Sequence, residues 1–257
     1  MRRAAGLALV AVAVAAPPAH AWTPHVHAAA AYARERRGIE AFAVRTPDRH
    51  WGYRARRTFP SASVLKAMLL VAYLRQRPVR DRPLRRDEKR LLSPMIRRSA
   101  NAPASALVVR LGARRLRRLA RRAGMRRFTP VTGIWGLSRI DAADQARFFL
   151  QVDRLVPERH RRYALHLLAS VVASQRWGIA RVAPLGWQLY FKGGWGSGTG
   201  LVDHQVALLT RGGERVSVAI LTYADGSHAY GKRTLRGIAR RLLRGLARPP
   251  SPPDRVW

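Results

Sequence analysis

Strand-type sequence patterns occur near both ends of this 257-residue chain, and the residues between them follow a helical period. The strand patterns predict a hairpin followed, after the helical block, by three further strands: residues 39–45 and 51–54, then 187–192, 205–210 and 216–223. Each strand has an apolar face that must be buried, so we expect the two groups to pair in one sheet. The sequence therefore predicts an α+β fold in three α/β/α layers. It consists of a five-stranded antiparallel sheet flanked by helices, with an inserted all-helical lobe.

The domain organisation follows from the same pattern. Residues 22–60 and 186–248 form the predicted sheet part, residues 61–185 form the helical lobe, and residues 249–257 form a loose proline-rich tail. Apolar residues make up 47% of the chain, which is enough to build the core of a single domain over residues 22–257. The main helices are predicted at residues 24–37, 63–74, 103–112, 142–155 and 232–246.

The first 21 residues have the pattern of an export signal. Arg2 and Arg3 precede an apolar run, and Ala19-His20-Ala21 forms a small-x-small cleavage site. The apolar run is shorter than the about 20 residues that a membrane-spanning helix needs, which favours a signal peptide over an anchor. We therefore expect cleavage near Ala21 and a mature protein that is secreted or located in the periplasm or cell envelope.

The chain contains no cysteine, which excludes thiol catalysis, disulfides and iron–sulfur clusters. No His-Glu-x-x-His pattern occurs, and the close pair His25 and His27 is more typical of a surface than of a metal site. The sequence predicts neither a metal nor a cofactor.

The formal net charge is +35, and arginines interleaved with leucines form two basic helical patterns. The first spans residues 114–127 and the second spans residues 233–244. Two interpretations stay open: solvated faces of amphipathic helices, or a surface that binds an anionic cell-wall polymer or membrane. Nucleic acid is disfavoured as a partner because no nucleic-acid-binding motif accompanies the charge. The oligomeric state is not indicated.

Only four of the 49 basic residues are lysines, and one of them stands three residues after a serine. Ser63 and Lys66 are predicted to share a face at the start of a helix, where free backbone N–H groups favour negative charge. A lysine that is neutral through burial can take the proton of a serine hydroxyl, whereas an arginine remains protonated. The apolar residues around the pair predict such a poorly solvated setting.

Two further segments supply what an acyl-transfer site needs. Lys192-Gly193-Gly194-Trp195 offers a glycine-rich strand edge for an oxyanion hole beside the Ser63 N–H, and Lys192 adds positive charge for an anionic substrate. Ser99 and Asn101 lie two residues apart on a predicted loop, where a hydroxyl can relay a proton and an amide can bind a substrate.

These segments resemble a known family. Ser63-x-x-Lys66, Ser99-x-Asn101 and Lys192-x-Gly194 are similar, in this order, to the three motifs of class A β-lactamases and penicillin-binding proteins. The predicted topology also resembles that family, and the resemblance covers essentially the whole mature chain. It implies Ser63 as nucleophile, Lys66 as its activating base and Ser99 as proton relay. It further implies substrate contacts at Asn101, Lys192, Gly193, Gly194 and Trp195, the last through its N–H as second oxyanion donor.

The sequence departs from the family pattern at two points. Gly193 stands where the family usually carries a hydroxyl residue that helps to hold the substrate carboxylate, and Ser197 or Thr199 is a candidate replacement. The second departure is the loop glutamate that activates the deacylating water in class A enzymes. The expected stretch, residues 136–138, contains no acid.

Four carboxylates lie between the second and third motifs. Asp141 and Asp144 are predicted to cap a helix, and Asp153 and Glu158 are predicted to be surface charges. The resemblance therefore implies an exported serine hydrolase that is acylated on Ser63 by β-lactams or related cell-wall amides, with slow deacylation. The alternatives are a D,D-peptidase or esterase of the same superfamily, or a non-catalytic basic binding protein on this fold.

Overall fold

A computed structural model describes residues 22–196, 198 and 201–246. The predicted signal peptide, the tail 249–257 and the two candidate hydroxyl residues Ser197 and Thr199 lie outside the described residues. Within the described part of the chain, no helix combines the length and the apolar character needed to cross a bilayer.

Five antiparallel strands form the central sheet: β1 Ile39–Arg45, β2 His50–Tyr53, β5 Gln188–Gly196, β6 Val202–Arg211 and β7 Glu214–Tyr223. Their order across the sheet is β2-β1-β7-β6-β5. Strands from both ends of the chain therefore pair through β1 and β7, which confirms the predicted five-stranded sheet and the insertion of the helical lobe.

The sheet separates two apolar cores because successive side chains of a strand point to opposite faces. On β6, Val206 and Leu208 face the helical lobe, while Ala207 and Leu209 face the other layer. That other layer consists of α1 (Val26–Arg34) and α9 (His228–Leu242). The three-layer arrangement is thus confirmed, with α9 beginning four residues earlier than predicted because the Ser227 hydroxyl caps it by accepting from the Tyr230 N–H.

The helical lobe packs around α2 (Leu65–Leu74), all of whose residues are buried. The remaining helices of the lobe are α3 Arg77–Arg80, α4 Arg86–Arg97, α5 Asn101–Arg122, α6 Ala142–Leu150, α7 Val152–Leu155 and α8 Glu158–Ala169. A helix that is apolar on every side needs a covering element on every side. α2 thereby fixes the position of the residues at its own beginning.

Several predicted boundaries were wrong. Asn101 was predicted on a loop but is the first residue of α5, and this helix continues beyond its predicted end through a local break at Gly112. The helix predicted at residues 142–155 is divided into α6 and α7 at Gln151. The glycine-rich turn was predicted from residue 193, yet β5 continues to Gly196 because its backbone pairs with β6 up to Val202.

A second, two-stranded sheet was not predicted. Its strands are β3 (Thr58–Pro60) and β4 (Arg139–Asp141), which pair in antiparallel register. Strands of three residues are too short to show an alternating pattern. This small sheet joins the segment before Ser63 to the middle of the helical lobe.

The two basic patterns lie on amphipathic helices. Leu116 and Leu119 of α5 are buried, as are Leu235 and Leu242 of α9. The arginines of the two helices lie mainly on their exposed faces: Arg114, Arg115, Arg117, Arg118, Arg121 and Arg122 on α5, and Arg233, Arg236 and Arg240 on α9. The leucine spacing therefore predicted the orientation of both helices correctly.

Candidate active site

Ser63 lies on a short 3₁₀ turn, Ala62–Val64, that runs directly into α2. The preceding residue, Ala62, has a positive φ of 42°, a conformation that costs energy for a residue with a side chain and is often found at functional sites. Ser63 is 8% exposed, and Lys66 in the first turn of α2 is fully buried. The turn thus presents the Ser63 hydroxyl to a lysine amine that water does not reach.

The Lys66 amine is surrounded by oxygen atoms. Its Nζ lies 2.8 Å from Ser63 Oγ, 2.8 Å from Asn101 Oδ1, 2.5 Å from the Ser99 carbonyl oxygen and 3.2 Å from Ser99 Oγ. Burial lowers the pKa of Lys66 from its ordinary value of 10.5 to about 7. A neutral amine keeps two N–H donors for Asn101 and Ser99 and has a lone pair for the hydroxyl proton of Ser63.

Ser99 stands between two lysines. Its φ of 58° is left-handed and occurs just before α5, where it turns the hydroxyl into the site. Ser99 Oγ is 3.2 Å from Lys66 Nζ and 3.0 Å from Lys192 Nζ. The structure therefore connects the two lysines through one hydroxyl, which is the arrangement that a proton relay requires.

Lys192 enters the site from β5 and is fully buried. Its Nζ donates to Ser99 Oγ and, at 2.7 Å, to the Gly193 carbonyl oxygen. Burial, together with the nearby charge of Lys66, lowers the pKa of Lys192 well below its ordinary value. Its predicted role as a positive charge for the substrate stays a prediction.

The edge of β5 packs directly against the Ser63 turn. A Cβ atom on Gly194 would lie 2.9 Å from Ser63 N and 2.8 Å from Val64 N, so only glycine fits at this approach. The Ser63 N–H and the strand edge are thus neighbours, as an oxyanion hole requires. The assignment of the Trp195 N–H as the second donor stays a prediction.

His204 on β6 was not singled out in the sequence, although it supports this turn. Its Nδ1 accepts a hydrogen bond from Thr222 N, and its Nε2 therefore donates to the Pro60 carbonyl oxygen at 2.8 Å. Burial lowers the pKa of His204 to about 4, which keeps the ring neutral. No sequence motif marks it, because its role depends on contacts with Thr222 on the neighbouring strand and with Pro60, which lies 144 positions earlier in the chain.

The indole ring of Trp135 lies on the side of Lys66 that faces residues 136–138, the segment that contains no acid. The Trp135 ring centroid lies 5.0 Å from Lys66 Nζ, and Trp135 Nε1 donates to Ser105 Oγ at 3.0 Å. Residues 136–138 follow directly, and the Ser138 carbonyl oxygen accepts a 2.7 Å hydrogen bond from Ser61 N. The stretch predicted to border the site therefore does so, but its contact with Lys66 is made by the tryptophan just before it.

The carboxylates of the helical lobe are engaged elsewhere. Asp141 caps α6 by accepting from Asp144 N, as predicted, whereas Asp144 accepts from two loop N–H groups, of Arg126 and Arg127. The prediction that Asp153 is a surface charge was wrong, since it forms a half-buried ion pair with Arg215.

Glu158, in contrast, is exposed and pairs with Arg161, as predicted. Among the described residues, no carboxylate forms a hydrogen bond or ion pair with Ser63 or Lys66. Nor is any group of three or more His, Asp or Glu side chains in this part of the chain placed to hold a metal ion.

An antiparallel sheet with an inserted helical lobe, and a buried serine–lysine pair between the two, defines a class of serine-type hydrolase folds. The sequence matches the beta-lactamase enzyme family over residues 83–246, well over half of the chain. The chain therefore belongs to the beta-lactamase enzyme family, and family and fold together imply a hydrolase of this superfamily. The matched region contains the second and third motifs and begins after Ser63 and Lys66.

Solved structures share the fold at low sequence identity. The class A beta-lactamase from Mycobacterium abscessus is 19% identical, with a TM-score of 0.73 over 87% of this chain and 100% of that one. The beta-lactamase from Sphaerobacter thermophilus is 19% identical, with a TM-score of 0.72 over 84% of this chain and 95% of that one. A beta-lactamase from Xanthomonas campestris is 14% identical, with a TM-score of 0.71 over 84% and 94%. No curated protein sequence matches the chain.

Proposed function

We propose that this protein is an exported serine hydrolase that is acylated on Ser63 by β-lactams or related cell-wall amides and releases the acyl group slowly. The observation that carries the proposal is the 2.8 Å contact between Ser63 Oγ and Lys66 Nζ, combined with the lowered pKa of Lys66, about 7. A neutral amine at hydrogen-bond distance is the base that a serine nucleophile needs.

In the acylation step, Ser63 Oγ forms a bond to the substrate carbonyl carbon and its proton passes to Lys66 Nζ. The oxyanion that forms is stabilised by the Ser63 N–H and the neighbouring edge of β5. The C–N bond of the amide then breaks, and the leaving nitrogen receives the Ser99 hydroxyl proton. Lys66 returns its proton to Ser99, 3.2 Å away, so that both groups regain their starting states.

Slow deacylation is supported by the surroundings of Lys66. Hydrolysis of the acyl-enzyme requires a base that activates a water molecule, and no carboxylate among the described residues contacts Lys66 or Ser63. On the side of residues 136–138, the Trp135 ring covers Lys66 instead. An indole excludes water and offers no base.

The test is the intact mass of the mature protein during incubation with a penicillin. We expect an adduct of the mass of the penicillin that persists for many minutes, disappears in Ser63→Ala and is retained in a surface control, Ser174→Ala. Rapid turnover without accumulation of an adduct would contradict slow deacylation. The absence of both adduct and turnover would contradict the proposed enzyme.

A D,D-peptidase is the second candidate, because a long-lived acyl-enzyme without a water-activating acid also suits transfer of a peptide acyl group to an amine. Its measurement is the release of D-alanine from a peptide ending in D-Ala-D-Ala. Release that depends on Ser63 would favour the peptidase, whereas no release together with a stable penicillin adduct would favour the first candidate.

We further propose that the signal peptide is cleaved near Ala21 and that the exposed arginines of α5 and α9 attach the mature protein to an anionic envelope surface. Exposed like charges at i and i+4, such as Arg114 and Arg118, repel each other and are relieved by an anionic partner. An N-terminus near Trp22 and salt-sensitive binding to anionic vesicles would support these proposals. Binding that is equal for neutral and anionic vesicles would contradict the second.

A further inference from the structure

Three aromatic rings meet on the face of β5 that points away from Lys66. The Trp195 ring stacks on His228 at 5.8 Å between centroids, and Trp177 lies edge-on to both, at 5.8 Å from Trp195 and 5.3 Å from His228. Trp177 is buried, Trp195 is half-buried, and the His228 side chain is 40% exposed. We call these three residues the aromatic wall. The aromatic wall lies at the third motif, where Trp195 directly follows Gly194.

The aromatic wall occupies the space beside Gly193. A Cβ atom at Gly193 would lie 3.4 Å from Trp177 Cη2 and 3.5 Å from Cζ2, which is ordinary van der Waals contact for that atom alone. The γ atoms of a serine or threonine would extend further and meet the indole in part of their rotamers. This side of the strand edge therefore presents an apolar ring at the point where a hydroxyl would be the natural partner of a carboxylate.

The charges around the aromatic wall do not form an anion site either. His228 Nδ1 hydrogen-bonds Asp203 Oδ1 at 2.5 Å, and the Asp203 carboxyl approaches that of Asp225, since a Cβ on Gly231 would lie 2.1 and 2.4 Å from the two. Lys232 is close enough for its charge to act on the Asp203–His228 pair. The ammonium group of Lys232 therefore already has the Asp203 carboxyl group as a neighbour.

Lys192, 6.0 Å from the Trp195 ring centroid, directs its amine to Ser99 and to the carbonyl oxygen of Gly193. The desolvation that lowers the pKa of Lys192, together with the charge of Lys66, disfavours a fixed positive charge here. A carboxylate brought to this end of the strand edge would meet two indoles, an imidazole and a buried carboxyl group.

We propose that the aromatic wall forms a specificity subsite for a neutral, ring-bearing part of the acyl donor, and that acylation does not depend on a substrate carboxylate. The proposal rests on the proposed acylation of Ser63 and names the class of donor. Flat neutral groups stack favourably on indole and imidazole faces. A carboxylate placed against the two indoles, the imidazole and the Asp203 carboxyl described above would lose its hydration without a compensating partner among these four groups.

The experiment compares a penicillin with its methyl ester, two donors that differ only in whether one carboxylate is free and charged or esterified and neutral. The measured quantity is the second-order rate constant for formation of the Ser63 adduct, followed by intact mass. We expect the ester to react at least one third as fast as the free acid. The inference is overturned if the free acid reacts more than threefold faster, since some group would then bind the carboxylate.

A substitution in the aromatic wall tests the subsite directly. Trp195→Ala removes the ring and leaves the backbone N–H in place, and we expect a roughly tenfold loss of ester acylation with a smaller loss for the free acid. Trp51→Ala, on β2, serves as the control and should change neither rate. Equal rates in wild type and Trp195→Ala would overturn the subsite. If neither donor acylates the wild-type protein, the proposed function itself fails, an outcome distinct from a preference for the carboxylate.

Discussion

The ionisation of Lys66 makes a quantitative prediction about the acylation rate. Burial brings its pKa to about 7, so the neutral fraction of the amine rises from roughly one tenth at pH 6 to roughly nine tenths at pH 8. If the neutral amine is the base for Ser63, acylation should accelerate about tenfold across this interval and level off above it. A lysine with its ordinary pKa of 10.5 would instead give a rate that still rises tenfold per pH unit at pH 9.

The assay is rapid mixing with a chromogenic β-lactam under single-turnover conditions, at half-unit steps from pH 5.5 to 9.5. We expect Lys66→Arg to lose acylation, because a guanidinium keeps its proton at every pH in this range. Lys89→Arg, at an exposed position, is the matched control and should leave both the rate and its midpoint unchanged. A midpoint above pH 9, or a rate independent of pH, would refute the neutral-base argument, as would full activity of Lys66→Arg.

The other substitutions address the rest of the site. Trp135→Glu places a carboxylate beside Lys66, and we expect the Ser63 adduct of this variant to decay at least tenfold faster. The control Trp135→Phe should keep the long adduct lifetime. An unchanged lifetime in the glutamate variant would count against the role given to the indole. Gly194→Ala should destabilise the fold by about 1–3 kcal/mol through overpacking on the Ser63 turn and abolish acylation. A Cβ on Gly193 would make only ordinary contacts, at 3.4 Å with the Trp177 ring and 3.7 Å with the His204 carbonyl oxygen, so Gly193→Ala should cost less in denaturant unfolding. Equal costs would contradict this packing argument. Burial and, to a smaller extent, the charge of Asp225 raise the pKa of Asp203 to about 8. Between about pH 4 and 8 the folded state therefore keeps a proton that the unfolded state has already lost. The stability of the fold thus falls as pH rises through that window. We therefore expect Asp203→Asn to gain about 1–4 kcal/mol relative to wild type between pH 5 and pH 8 in urea unfolding; a difference that does not vary with pH would show that Asp203 does not titrate there.

The sequence was most informative where a feature is local. The strand patterns of β1, β6 and β7 depend on neighbouring residues, and so does the placement of Ser63 and Lys66 on one face of a helix start. The three strands and the contact between Ser63 and Lys66 were therefore predicted correctly, together with the two amphipathic basic helices. The cap at Asp141 belongs to the same group, because a capping side chain bonds within its own first turn.

The features that the sequence did not predict depend on distant contacts. The ring of Trp135 reaches Lys66 across 69 positions of chain, and Asp153 meets Arg215 only because α7 packs near the sheet. Strands β3 and β4 are too short to carry a pattern, and His204 bears no motif. These residues nonetheless determine what the local motifs can do, since they set the solvation and support of the Ser63 turn.

The two active-site lysines are buried in a strongly basic chain, and the effect of salt on acylation tests whether burial or the surface charge sets the pKa of Lys66. The formal charge of +35 resides largely on exposed arginines, whereas Lys66 and Lys192 are fully buried. Burial, rather than the charge of the surface, lowers the pKa of Lys66. Exposed charges are screened by salt within about 10 Å at 0.1 M, and desolvation is not screened.

The midpoint of the acylation profile should therefore remain within about 0.2 pH units between roughly 0.05 and 0.5 M salt, while binding of the protein to anionic vesicles weakens strongly over the same range. Lys89→Arg keeps the surface charge and should reproduce both results. A midpoint that rises toward the ordinary lysine value as salt is added would show that the arginine field, and not burial, keeps Lys66 neutral. In that case the arginine-rich surface would be part of the catalytic apparatus, and neutralising α5 would slow acylation at a distance.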